Sequence, residues 1–189
     1  MMAEQPLPLF VISAPSGGGK TTVIESIKSD SHLTYAVSVT TRAPRNGETE
    51  GKEYYFISKE AFLEKIDKNA FIEWAEVHGQ YYGTLWSELN RAERERKSLI
   101  LDLDVQGGIN LKKRKKEAVL IFLMPPSMEV LELRLRNRKT DSEATIRTRL
   151  KNARKEIEAA VGYDYQIINQ QLDETIQAVQ TVINKYLEK

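Results

Sequence analysis

The chain has 189 residues, with 28 Lys and Arg against 27 Asp and Glu, two histidines and no cysteine. That length buries a sizeable core and suits one domain with inserted subdomains better than two full domains. The near-neutral charge gives no global field for nucleic acid or membrane, and the lack of Cys with only His32 and His78 argues against disulfides, thiol nucleophiles and Cys- or His-built metal sites. The N-terminus, MMAEQPLPLF, lacks a charged-then-apolar leader pattern, and no apolar run approaches ~18 residues, so a cytoplasmic location is expected.

Leu7 to Ile12 reads as a buried parallel strand and Val23, Ile24 and Ile27 recur at helical spacing, so SAPSGGGKTT, Ser13 to Thr22, is a glycine-rich loop between strand and helix. Gly17, Gly18 and Gly19 let the backbone turn its N–H groups around an anion, and the following helix adds its positive dipole end. Lys20 is placed to reach the β- and γ-phosphates of a nucleotide and Thr21 to ligate Mg²⁺. Ala14 stands where the full P-loop pattern has its first glycine; the flanking strand and helix carry the reading instead.

From Ala36 to Gly83 short alternating segments (VSVTTR, KEYYFIS, FIEWAEV, YYGT) predict a small antiparallel sheet. One helix interrupts it, with Ser58 as N-cap and Phe62, Leu63 and Ile66 on one face. This insert is where an acceptor substrate would sit. Alternation along Phe71 to Val77 puts Phe71, Glu73 and Ala75 on one face, and a lone carboxylate on a half-apolar strand needs a partner. Ser87 to Lys97 reads as a charged surface helix. SLILDLDV, Ser98 to Val105, reads as a buried parallel strand whose Asp102 and Asp104 fall at the carboxyl end, where ligands gather in α/β sheets, and point to opposite faces.

The basic run Lys112 to Lys116 is expected to be an exposed helix end, because AVLIFLM, Ala118 to Met124, follows as a strand. After Pro125 and Pro126, Ser127 caps a helix carrying Val130, Leu131 and Leu135. A polar turn, Asn137 to Ser142, leads into a second helix with Ile146, Leu150, Ala153 and Ile157 as its apolar stripe. Basic residues outnumber acids on this hairpin, which suggests a lid that closes on phosphates. Tyr165 to Asn169 is a last short strand. Leu172 to Leu187 is a closing helix with Ile176, Val179, Ile183 and Tyr186 inward.

SAPSGGGKTT, SVTTRAPRNGE, GKEYYF, FIEWAEV, YYGT, LDLDVQG and RLRNR through TDSEATIRTRL occur in the order found in guanylate kinases, and the chain resembles that family over essentially its whole length. The resemblance implies an α/β P-loop NTPase fold: a parallel β-sheet core flanked by helices (1–35, 87–125 and 158–189), an inserted antiparallel GMP-binding subdomain (36–86) and a helical lid (126–157), together one domain over 1–189. It implies transfer of the ATP γ-phosphoryl group to GMP or dGMP, with Mg²⁺ accompanying ATP and with ATP, GMP and dGMP as small-molecule partners; monomer and homo-oligomer both stay open. By the same resemblance Ser38, Arg42, Arg45 and Tyr54 hold the GMP phosphate with Tyr82 beside them, and Glu73, Thr84 and Asp104 read guanine. Ser13, Ala14, Pro15, Ser16, Gly17, Gly18, Gly19, Lys20, Thr21 and Thr22 form the ATP phosphate site. Thr21 and Asp102 lie near Mg²⁺, directly or through water. Arg134, Arg138 and Arg149 are lid arginines, and Asn169 lies where the family contacts adenine. Lys20, Arg42, Arg138 and Arg149 are the expected catalytic cations. The chain departs from the family at Asn137-Arg138-Lys139, commonly Gly-Arg-Gly, and at Asn169-Gln170-Gln171, commonly Asn-Asp-Asp. Guanylate-kinase-like modules that bind protein segments without catalysis, and kinases of other nucleoside monophosphates, are the alternatives.

Overall fold

The computed structural model describes residues 7–77, 79–137 and 141–188. The elements in chain order are β1 (Leu9–Ser13), α1 (Lys20–Ile27), β2 (Leu33–Tyr35), β3 (Ser38–Thr40), β4 (Tyr54–Phe56), α2 (Lys59–Asp67), β5 (Phe71–Val77) and β6 (Gln80–Leu85). They continue with α3 (Trp86–Glu95), β7 (Ser98–Asp102), α4 (Val105–Arg114), β8 (Val119–Met124), α5 (Met128–Asn137), α6 (Glu143–Ala159), β9 (Tyr165–Ile168) and α7 (Leu172–Leu187).

The central sheet has the order β2-β7-β1-β8-β9 with every pair parallel. Its three inner strands, β7, β1 and β8, are apolar on both sides because both sides are covered, whereas the edge strand β9 alternates half-buried and exposed residues. Val11, Leu99, Leu101, Leu120 and Phe122 pack with Ala92 of α3 and Leu111 of α4. Phe10, Ile12, Ile100, Ile121 and Leu123 pack with Val23, Ile24 and Ile27 of α1 and with Val179, Val182 and Ile183 of α7. The register of β1 on β7 sets Ile12 beside Asp102, so the glycine loop and the aspartate leave the sheet at one edge.

The second sheet has the order β4-β3-β6-β5. It is antiparallel except for β3 and β4, which pair in parallel because a long connection, not a hairpin, joins them. Ser58 caps α2 as expected, and Phe62 is fully buried against Phe71, ring centroids 4.4 Å apart. Leu63 is exposed, so the apolar face of α2 is narrower than its sequence implied.

Other expectations shift locally. A register irregularity between Phe71 and Glu73 breaks the alternation of β5, so Phe71 joins the cluster under α2 whereas Ile72 enters the main core. β2 has three residues, too few for periodicity to reveal, and β7 ends at Asp102 because Asp104 has become the N-cap of α4, accepting from Gly107 N–H at 2.6 Å. The basic run closes α4: Lys112 pairs with Asp164, and Arg114 donates to the Ile72 carbonyl at 3.0 Å.

α3 is more than a surface helix. Its Glu88 is 4% exposed and accepts from the Val37 N–H at 2.8 Å and from Arg91 at 2.9 Å. Arg91 also reaches the Tyr35 carbonyl at 2.8 Å, so the pair grips the chain where it passes from the central sheet into the second one. Replacing Glu88 by Ala leaves the Val37 N–H and Arg91 without this acceptor. Urea unfolding should show a loss of about 1–3 kcal/mol, and an unchanged midpoint would show that the grip contributes nothing.

Candidate active site

The loop after β1 has the shape its glycines permit. Gly17 and Gly19 have φ of +87° and +88°, and Gly18 N–H closes a turn on the Pro15 carbonyl at 2.7 Å. α1 begins at Lys20 with no side chain capping it, leaving its first N–H groups to an incoming anion. Lys20 forms an ion pair with Asp102 and donates to the Leu103 carbonyl at 3.2 Å. Thr21 and Thr22 are exposed beside it. Ser13 does not face the loop's interior: it is fully buried, donating to the Leu103 carbonyl at 2.8 Å and meeting the Tyr163 hydroxyl at 2.7 Å, so it anchors the loop's first turn instead.

Facing the loop, a cavity of about 200 Å³ gathers Ser38, Tyr54, Glu73, Tyr82, Asp102 and Asp104. Asp102 and Asp104 therefore border one space and are not directed to opposite faces, because the chain turns between β7 and α4. A neighbouring cavity of about 290 Å³, between β5 and α4, shares Glu73, Ala75 and Asp104 with it. Hydroxyls link three of the residues that the resemblance assigns to GMP: Thr84, 1% exposed, donates to Glu73 Oε1 at 3.1 Å, and Ser38 Oγ lies 3.3 Å from Thr84 Oγ1. Burial pushes the Glu73 carboxyl up to about 7; the Thr84 hydroxyl and backbone pull it down, and the charges of Asp104 and Asp102 push it further up.

Arg42 is held by Glu48 through two bonds of 2.9 and 2.8 Å, lies over the Tyr54 ring at 5.4 Å, and is flanked by the exposed Arg45, whose N–H donates to Glu48 at 2.7 Å. Glu48 escaped the sequence reading, although its place six residues after Arg42, across the turn at Gly47, was a signal. Tyr35, also in the cavity wall, was missed too; burial and then the Asp102 charge push its hydroxyl far above the ordinary tyrosine range.

The α5–α6 hairpin packs on itself through Leu131, Leu135, Ile146 and Ala153. It also closes on the loop, since a Cβ at Gly17 would stand 2.9 Å from Leu135 Cδ2. Its arginines divide. Arg136 is a surface brace between Glu132 and Glu143, Arg149 pairs with Asp141 at 3.1 Å, and Arg134 donates to the Asn169 carbonyl at 2.9 Å. Arg138 lies outside the described residues. Glu156 of α6 titrates above the usual carboxylate range through burial and then the Asp104 charge, with Lys20 and the Ser16 N–H pulling the other way. The Asn169 side chain, 5% exposed, faces the loop backbone and Thr175 rather than an open adenine pocket.

A parallel sheet whose first strand runs into a glycine cradle and a lysine, with a carboxylate from the adjacent strand beside it, defines the P-loop class of α/β proteins. The guanylate kinase family model matches residues 7–186, and the chain belongs to that family. The guanylate kinase of Geobacter metallireducens is 46% identical over 93% of this chain and 87% of its own length, and that of Clostridium tetani 43% identical over 93% and 85%. A crystal structure of guanylate kinase from Anaplasma phagocytophilum matches with a TM-score of 0.74 at 34% identity, covering 98% of this chain and 88% of that one.

Because the folded protein holds the Glu73 proton more tightly than the unfolded chain, its stability falls as pH rises from about 4.5 through about 7. Glu73→Gln removes this dependence. Its stability relative to the wild type should therefore grow by on the order of 2 kcal/mol between pH 5 and pH 7.5 in urea titrations. A difference that does not change with pH would contradict the assigned shift.

Proposed function

We propose that this chain transfers the γ-phosphoryl group of ATP to the phosphate of GMP, or more weakly dGMP, giving ADP and GDP. The observation that carries the reading is the hydroxyl-linked carboxylate, Ser38 to Thr84 to Glu73, set across one cavity from Asp102 and the lysine it pairs with. Guanine offers N1–H and N2–H₂ as adjacent donors, which an ionised Glu73 accepts, and O6 as an acceptor for a hydroxyl such as Ser38 or Thr84; Asp104 completes the acidic wall. Adenine would present the N1 lone pair to Glu73 and leave a charged acceptor unpaired. Sites built on buried hydrogen bonds discriminate by ~10⁴ or more.

The acceptor phosphate oxygen is already ionised, so transfer needs no general base. The obstacle is the meeting of two anions, which the protein answers with cations aimed at the transferring group. In this reading Lys20 and the loop N–H groups hold the ATP phosphates. Arg42 and Arg45, with the Tyr54 and Tyr82 hydroxyls, hold the GMP phosphate. Glu48 keeps the Arg42 guanidinium oriented until that phosphate arrives. Arg134, Arg138 and Arg149 travel with the hairpin 126–157 as a lid that excludes water, which would otherwise take the phosphoryl group.

Thr21 at the start of α1 and Asp102, whose only ion-pair partner among the described residues is Lys20, are hard oxygen donors on the side where phosphates enter, and they suit Mg²⁺ held jointly with a nucleotide. Mg²⁺ bound there would supply positive charge to the phosphate oxygens during transfer. Among the described residues no group of three or more His, Cys, Asp or Glu side chains could hold a metal ion. No helix among the described residues is long and apolar enough to cross a membrane.

ADP release measured with MgATP and, separately, GMP, dGMP, AMP, CMP and UMP tests the proposal. Turnover is expected with GMP and, weaker, dGMP; equal turnover with AMP would remove guanine reading, and none with any acceptor in folded protein would favour a non-catalytic binding module. Glu73→Gln should raise the KM for GMP by tenfold or more, about the worth of a hydrogen bond to a charged group. An unchanged GMP-to-AMP ratio in that variant would place guanine reading elsewhere.

A further inference from the structure

The glycine loop is supported from beneath by a residue outside it. Asn169 follows β9, is 5% exposed, and ties its own N–H to the Met124 carbonyl at 2.8 Å. Its side-chain Nδ2 donates to the Gly18 carbonyl at 2.7 Å. A carbonyl only accepts, so the amide end facing Gly18 must be the NH₂. That leaves Oδ1 facing Thr175, 1% exposed, whose hydroxyl shares its one proton between Asn169 Oδ1 at 3.0 Å and the Gln171 carbonyl at 2.8 Å.

Two consequences follow from peptide geometry. In a trans peptide the C=O of one residue and the N–H of the next point in opposite directions, and there is no cis peptide in the described chain. Fixing the Gly18 carbonyl toward Asn169 therefore turns the Gly19 N–H the other way, toward the inside of the loop. The Gly18 N–H is already committed to Pro15, so the Gly18–Gly19 peptide is the part of the loop whose orientation this amide decides. The fit is close: a Cβ at Gly19 would collide with Asn169 Nδ2, so the loop can rest on this amide only with glycine there. The Asn169 carbonyl meanwhile receives Arg134 of α5, so one residue supports the loop through its side chain and the hairpin through its backbone.

We infer that Asn169 is a positioning residue for phosphate binding: it presets the Gly18–Gly19 peptide with its amide aimed at the phosphates of the donor nucleotide, and Thr175 fixes the orientation of its side chain. This role needs no contact with the adenine ring. It rests on the reading of Ser13–Thr22 as the ATP phosphate site.

The test compares Kd values for ATP, inorganic tripolyphosphate and GMP by calorimetry in the wild type, Asn169→Asp, Thr175→Val and Lys20→Ala. Asn169→Asp keeps the shape but sets a carboxylate oxygen against the Gly18 carbonyl. It should weaken ATP and tripolyphosphate by the same factor, about tenfold or more, with GMP within about twofold. Thr175→Val should weaken both polyphosphates in the same direction by about threefold, and it carries the test if Asn169→Asp does not fold. Weakened ATP with unchanged tripolyphosphate would mean that Asn169 acts on adenine and would overturn the inference. Equal loss of GMP binding would reduce its role to general stability and overturn it as well. Tripolyphosphate binding retained in Lys20→Ala, or absent from the wild type, would show that phosphates do not use this loop; that result defeats the underlying reading and is distinct from the other two.

Discussion

The parallel pairing of β1 with β7 is the constraint on which the rest of the site depends. It sets Ile12 level with Asp102, so that the chain leaving β1 as a glycine loop and the chain leaving β7 as a turn emerge side by side. Lys20 then meets Asp102 at the sheet edge. A one-residue slip of this register would turn the alternate side chains of β1 to the opposite face, exchanging Val11 and Phe10 between two differently packed cores. The cores that flank the sheet therefore also fix the spacing of the charges at its edge.

A chain with almost no net charge still has to bring anionic substrates together, and it does so by local separation. Acids concentrate where donors of a base would lie, at Glu73 and Asp104, with Asp102 toward the loop. In the proposed reading, the phosphates meet cations at Lys20, Arg42 and the hairpin. Several of these cations are held by acids, Lys20 by Asp102, Arg42 by Glu48 and Arg149 by Asp141, which orients them and limits their mutual repulsion. Glu73 is the exception. Among the described residues it accepts from the Thr84 hydroxyl and has no ion-pair partner, and burial pushes its carboxyl up to about 7.

How much of this could be read from the residues differed from place to place. The loop from Ser13 to Thr22 was legible because its glycines, lysine and threonine have a spacing that few other structures demand, and Glu73 because a carboxylate alone in an apolar strand requires an explanation. The side on which Phe71 packs was not, since the irregularity in β5 is decided by pairing with β6 and leaves no local mark. β2 is too short for periodicity, and the buried Glu88 looked like one more charge on a charged helix until the fold brought the Val37 N–H to it. Asn169 was found by resemblance, but the partner of its amide, far away in the chain, is set by the adjacency of β1, β8 and β9 and has no signature near residue 169.

In the proposed reading, these separated charges serve direct transfer between two bound nucleotides. Phosphorus NMR of the protein with MgATP and GMP measures this without a coupling enzyme. ADP and GDP should appear in equal amounts, with inorganic phosphate accumulating only far more slowly whether GMP is present or omitted. Inorganic phosphate formed in step with ADP, or no change in the ATP resonances, would contradict the account.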